Sequence, residues 1–436
     1  MNAVAPSSPA LARLREGLAG LPGGPAWDAW RAARLERLVA LGLPTPRDEA
    51  WKYANLRLVE RRLAAPAAVR PLAADAISAL VPDLPGGRLV FVDGRFAPAL
   101  SDPLPAGVRA AALGDLLTSR TPEALAEVLP VPADAIDDRV RLLNATFLTD
   151  GAHLTVDPDA RPEAPVHVVF VRTGGAAYAR LVVDAGRHSR LALVEHHVTL
   201  GEPETFAAPA VEVRVADGAS VDHYRVQFEG AKSVSVEDVA VAVGRDATYA
   251  HHAHVFGAQY ARTDLRVRLD QPGATAEVNG LFFADGSRHV DLRVLVDHAA
   301  PRTTSRQVFR GVAGGRGRGA YDGKVLIRHG ASKASSEQSS RNLLLSPTAE
   351  IDARPQLEIY TDDVKAGHGA TTGALDETML FYLLSRGLDR ATARGVLTFA
   401  FAEDVVAQVR IPELRRVLER RVLQGLPDAD LIREFV

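Results

Sequence analysis

Imidazole is the side chain best suited to chemistry in this sequence, which holds 13 histidines and no cysteine among 436 residues. His252 and His254 stand two apart, so on a strand they share a face, as metal-ligand pairs sometimes do. His251 points the other way, and His196 and His197 point to opposite faces. Measured from the glycines that precede their strands, His196, His223 and His251 sit at offsets of 10, 5 and 7 residues. Unequal offsets predict that the rings do not form a column, which leaves surface or hydrogen-bonded core positions as the simpler reading. The missing cysteine excludes disulfides, thiolate metal sites, cysteine nucleophiles and persulfide carriage on this chain.

Two further segments invite a chemical reading. Gly311–Lys324 is glycine-rich, but Val325 follows Lys324 where a phosphate-cradling loop needs Ser or Thr, so a flexible connection between strands is expected. Leu357–Leu388 is the densest constellation. It places Asp362, Asp363 and Lys365 just ahead of His368, whose neighbours Gly367 and Gly369 would let a partner backbone come close. Arg410, Arg415, Arg416, Arg420 and Arg421 are interleaved with Glu413 and Glu419, which reads as a solvated helix face. No nucleophile elbow and no catalytic carboxylate pair stands out.

The elements that must carry these residues fall into three stretches. Residues 1–85 read as a helical region: Trp27, Trp30, Leu35, Leu38 and Leu41 line one face of a helix over 26–41, and a further helical segment is expected over 48–62. Residues 86–360 read as strands, opening with a hairpin at Asp93-Gly94 and interrupted by a helical interlude near 113–143. Val211, Val213 and Val215 alternate with polar neighbours, as do Leu265, Val267 and Leu269. Gly186, Gly218, Gly244 and Gly273 each introduce a strand at spacings of 32, 26 and 29 residues, which favours stacked coils of a parallel β-helix over a sandwich. Residues 361–436 turn helical again, in three apolar-faced segments that must either cap the solenoid or bind a partner.

Composition bounds the rest. With 47% hydrophobic and 24% charged residues the chain can bury a large core, and its net charge of −3 advertises neither nucleic acid nor an anionic membrane. No apolar run approaches the ~20 residues of a membrane helix, and the N-terminus lacks the pattern of a secretory signal, so a cytoplasmic location is expected.

The C-terminal constellation resembles the signature of the SufB/SufD family of the SUF iron–sulfur cluster assembly system, on its SufD side. Pro355, Leu357–Ile359, Asp362–Lys365, His368–Thr371, Gly373, Leu375, Asp376, Leu380–Leu383 and Ser385–Gly387 match that pattern. Arg47, Glu49, Trp51 and Tyr53 resemble the family's N-terminal element, and Arg341–Leu345 fits the approach to the signature. The tail differs from that of SufB, which carries Glu-x-Glu-Ala-Thr-Thr-Ser-Lys at the position of Lys365–Gly373.

The resemblance implies a mainly β fold, a right-handed parallel β-helix between N- and C-terminal helical regions. It implies a non-catalytic scaffold that pairs with SufB and binds the ATPase SufC through its C-terminal helices, with Arg386, Gly387 and Phe399 as candidate docking residues. It also makes His368 a candidate iron ligand for a nascent, transient cluster at the SufB interface. One position departs from the family: Ala366 replaces a cysteine, so this chain cannot accept persulfide sulfur and any thiolate must come from the partner. No flavin fingerprint accompanies these motifs. The rival readings are a β-helix enzyme acting on polysaccharide, which calls for acidic or cationic catalytic clusters, and a homodimeric scaffold joined through unpaired coil edges.

Overall fold

A computed structural model describes residues 9–130 and 138–426. Within these residues, alternating apolar strands coil into a parallel β-solenoid of about eight turns. Each coil contributes one strand to a ten-stranded sheet and one to an eleven-stranded sheet. The recurring glycines mark one corner of the coil. Gly186, Gly218, Gly244 and Gly273 lie between strands Arg180–Ala185, Ala210–Val215, Ser233–Val243 and Tyr260–Leu269 of the larger sheet and their successors in the smaller one. The parallel β-helix read from that spacing is the observed architecture.

The Asp93-Gly94 hairpin forms as expected, with both residues at positive φ (47° and 81°), the conformation a two-residue turn between twisted strands requires. It ends the smaller sheet with a two-residue antiparallel strand, Arg95–Phe96, and Val108–Ala112 ends the larger sheet in the same antiparallel way. At the other end, among the described residues, nothing pairs beyond Glu350–Ile359 and Val364–Gly373. Strands thus run on past the expected end near 360.

The solenoid interior is filled by columns of in-register side chains. Gly280 lies opposite Phe309, and Phe282 lies opposite Gly311. A Cβ on Gly280 would stand 2.3 Å from the Phe309 ring, and one on Gly311 2.3 Å from the Phe282 ring. Gly319, across the lumen, is likewise closed by Phe282. Gly311–Lys324 is therefore no flexible loop: it is strand, tight turn and strand, and its glycines make room for stacked aromatic rings.

Helices cover the outside. The N-terminal set comprises α1 (Pro9–Glu16), α2 (Gly24–Leu41), α3 (Leu56–Arg62) and α4 (Ala74–Leu80). The expected segment over 48–62 resolves into a short 3-10 turn, Glu49–Trp51, followed by α3. Next come α5 (Leu113–Ser119) and α6 (Arg139–Phe147), which occupy the ends of the expected interlude; residues 131–137 of it lie outside the described residues, as do residues 1–8, where the N-terminal signal was sought. Trp51 anchors the N-terminal region. It is buried, with the Arg262 guanidinium 4.1 Å from its ring centroid, and Arg262 also binds Asp264 at 2.7 Å and Asp291 at 2.5 Å.

The C-terminal helices are α7 (Glu377–Ser385), α8 (Arg390–Val406) and α9 (Pro412–Gln424). They do not cap the solenoid. Phe399, Ala402, Val405 and Val406 of α8 and Leu414, Leu418 and Val422 of α9 pack on the outer face of the smaller sheet, against Tyr224, Val226, Leu281 and Val308. This apolar stripe lies on the flank of the solenoid and, among the described residues, leaves its last coil uncovered. Among the described residues, no helix is long and apolar enough to cross a membrane.

Burial also captures much of the histidine. His252 and His254 do share a face, beneath α8 and α9, where His252 stacks on Tyr224 and none of the four ring nitrogens has a hydrogen-bond partner. Burial lowers His252 and His298 to about 4 and His254 to about 3, and holds His196 and His251 well below the usual imidazole range.

Two predictions follow from this packing. Gly280→Ala should lower unfolding stability by about 1–3 kcal/mol through overpacking against Phe309, whereas Gly367→Ala, whose Cβ meets nothing within 4 Å, should stay within about 0.5 kcal/mol of the parent in urea titration. His196, His251, His252, His254 and His298 are neutral when folded and take a proton near pH 6.5 when unfolded, so their contribution is full above 6.5 and is lost as pH falls towards the folded value. That loss is about 1.4 kcal/mol per histidine per pH unit. The urea midpoint should therefore drop between pH 7 and 4.5, less steeply in His254→Gln than in the parent; identical slopes for the two would refute the assignment.

Candidate functional site

His368 lies on Val364–Gly373, the last strand of the smaller sheet. Parallel pairing sets Val364 opposite Ala334, Ala366 opposite Ser336 and His368 opposite Gln338. The same register continues inward through Gln307, Val278, His251 and His223. His368 therefore stands at the mouth of the solenoid, on top of a column of lumen positions, and its ring is exposed. Beneath it the lumen is polar. Gln338 Nε2 donates to the Tyr321 hydroxyl at 2.9 Å, and that hydroxyl donates to Gln307 Oε1 at 2.9 Å. Ala366, in the position of the family cysteine, is half-buried beside Val325, Ile327, Ala331 and Ala334, a setting that suits a small apolar side chain.

The free ends of the two sheets frame this mouth. Among the described residues, Glu350–Ile359 and Val364–Gly373 present unpaired backbone edges, with Ile359 at the end of the first strand and Tyr360 after it both exposed. The N-terminal motif braces the same coil: Glu49, in the turn that holds Trp51, pairs with Arg354 of Glu350–Ile359.

The candidate docking residues separate. Arg386, the C-cap of α7, is exposed; its guanidinium donates to the Tyr382 hydroxyl at 3.2 Å and rests 5.1 Å from that ring. Gly387 follows at φ +94°, a left-handed turn open to solvent that sends the chain from α7 into α8. Phe399 instead is buried between α8 and the smaller sheet, so it anchors the helix and offers no surface. Among the described residues, the most exposed large apolar side chains belong to α7: Phe381 at 70%, Met379 at 58% and Tyr382 at 56% exposure.

A second constellation was hidden by the glycine offsets. The turn from Gly218 to Ser220 is shorter than the turn from Gly244 to Thr248, and once turn length is removed His223 and His251 occupy the same strand position and lie directly opposite each other. They join a charged cluster in the lumen. Glu195 accepts from His223 Nε2 at 2.6 Å and from His197 Nε2 at 3.0 Å. The Tyr249 hydroxyl bridges His223 Nδ1 at 2.9 Å and His251 Nδ1 at 3.1 Å. Glu237 pairs across the lumen with Arg225, and Glu229, just after Ser220–Phe228, pairs with Arg172 of the same sheet. All these residues are buried.

Their protonation follows from that setting. Burial works to raise Glu195, but His223 and His197 hold it well below the usual carboxylate range. Burial pushes Glu237 up to about 7 against the attraction of Arg225, with the Glu195 charge adding to the push. Burial takes His197 down to about 3, helped by Arg225 and opposed by Glu195. A legible signal existed: in Leu191, Leu193, Glu195, His197 the apolar alternation passes directly into charge on the inward face.

Comparison with known proteins agrees with the architecture and with the motif at the mouth. Residues 169–401 match the family model for the SUF system FeS cluster assembly SufBD core domain, and residues 24–168 match the SufBD protein N-terminal region. The chain is 30% identical over 400 residues to the iron–sulfur cluster assembly protein SufD of Escherichia coli, covering 90% of this chain and 91% of that protein. It is 27% identical to an iron–sulfur cluster assembly SufBD family protein of Synechocystis, over 88% of each. The SufD of Bacillus subtilis is 28% identical over 66% of this chain and 67% of its own length. A solenoid with these matched segments, and with the signature histidine at its open end, belongs to the SufBD family of iron–sulfur cluster assembly proteins.

Proposed function

We propose that this chain is a non-catalytic scaffold subunit that pairs with a SufB partner and binds the ATPase SufC in the cytoplasm, so that a nascent iron–sulfur cluster is built at the shared interface and passed to acceptor proteins. The cluster is cargo, held transiently. The observation that carries this reading is the coincidence, on one coil, of two unpaired strand edges and His368 at the lumen mouth. Edge strands recruit further strands because their backbone donors and acceptors are unsatisfied. A partner docked there would bring its own residues against His368. Imidazole can ligate a cluster iron, and with no cysteine on this chain the thiolate ligands would come from the partner.

ATPase docking is assigned to α7. Its exposed Met379, Phe381 and Tyr382 form an apolar surface beside Arg386, while α8 and α9 fix the helix to the solenoid flank. Aromatic rings next to arginine are frequent anchors of protein interfaces.

The first measurement is the mass of the complex after co-expression with the SufB and SufC of the same organism. A stable assembly of all three is expected, and a free monomer or homodimer would refute the proposed pairing. Within that assembly, Phe381→Ala with Tyr382→Ala should weaken ATPase retention at least about tenfold, a loss of ~1.4 kcal/mol; Leu380, buried beneath them, is left intact to preserve the fold. His368→Ala should leave the complex assembled but lower its iron and sulfide content. Full cluster loading in that variant would exclude His368 as a ligand.

A further inference from the structure

We infer that the solenoid lumen holds a divalent metal site formed by Glu195, His197 and Glu237, a staple that joins the two sheets from inside. The inference goes beyond the scaffold reading and does not depend on it. Glu195 and His197 alternate inward from Arg190–Thr199 of the smaller sheet, and Glu237 faces them from Ser233–Val243 of the larger sheet. One donor atom from each residue lies within 4.8 Å of the others. His197 Nε2 is 3.0 Å from Glu195 Oε2 and 3.7 Å from Glu237 Oε1. An ion held at ~2.0–2.2 Å by nitrogen and carboxylate oxygen needs ligand atoms spaced about 3–3.5 Å apart. His197 already stands near that spacing from both carboxylates, which lie within 4.8 Å of each other and would close further around an ion.

An observation independent of spacing also favours a cation here. Glu237 Oε1 is buried and accepts no hydrogen bond, because Arg225 and the Thr263 hydroxyl both reach the other oxygen, Oε2. A carboxylate oxygen sealed from water without a donor is costly, and a metal ion would satisfy it. His223 already donates to Glu195 from the opposite side, as outer partners of metal ligands do.

The donor set names the metal class. One imidazole and two carboxylates suit borderline first-row divalent ions such as zinc, manganese or iron(II), and disfavour thiophilic ions. The site is sealed, so its role is structural.

The test is the metal content of the full chain purified from medium supplemented with zinc, manganese or iron(II), then desalted against a weak chelator. About one ion per chain is expected from at least one medium, retained in His368→Ala. Glu237→Gln and His197→Asn should each lower its affinity about 10- to 100-fold or more, the range produced by losing even an outer-shell partner. Metal-free parent chain from all three media would overturn the proposal, as would retention in Glu237→Gln with loss in His368→Ala. Should the lumen variants fail to fold, anomalous diffraction from metal-loaded parent crystals decides: a peak between Glu195 and Glu237 supports the site, and no peak there overturns it.

Discussion

In-register stacking is the constraint from which the rest of this molecule follows. Each coil places its residues directly over those of the coil below, so a side chain chosen at one level limits what the next level can hold. Phe309 over Gly280 and Gly311 over Phe282 show the rule in steric form: a large ring on one coil demands an absent side chain on its neighbour. His223 beside Glu195 and His251 shows it in polar form, since a buried donor must find its acceptor one coil away. The same rule carries His368 to the mouth. Among the described residues its strand has no successor, and the column that runs through Gln307 and Gln338 ends in solvent with it.

Charge inside a solenoid is expensive unless paired, and this chain meets that cost in two different ways. Towards the N-terminal helices, Arg141 from α6 reaches Glu212 at 2.6 Å and also binds Asp238, fastening a helix to the larger sheet through a fully buried guanidinium. Arg262 does the same for the turn that holds Trp51. These pairs join separate segments, so they specify how the helical region sits on the coils. The lumen cluster instead lies between the two sheets, where no helix reaches it, and its acids outnumber its guanidiniums.

Much of this was legible in the sequence where the signal is local. The Asp93-Gly94 hairpin, the helix over 26–41 and the glycines that mark the coil corners each rest on a few adjacent residues, and each is present. What escaped depends on contacts distant along the chain. Turn lengths vary, so offsets from glycine misplace a residue within its strand, and the histidine column was invisible until pairing fixed the register. The glycines of Gly311–Lys324 look like flexibility in isolation and are steric vacancies for Phe282 and Tyr321 in the fold. The C-terminal helices are apolar enough to suggest a cap, yet apolarity does not reveal which surface it will meet. Phe399 illustrates the point, lying close to the signature in sequence but facing the sheet flank.

The two ends of the solenoid are unlike. One ends in the short antiparallel strands Arg95–Phe96 and Val108–Ala112, of two and five residues, and the other, among the described residues, in Glu350–Ile359 and Val364–Gly373, of ten residues each. A short edge offers a further strand few backbone donors and acceptors, and a long one offers many. The solenoid is therefore polar in its capacity for edge pairing, with the greater capacity at the mouth.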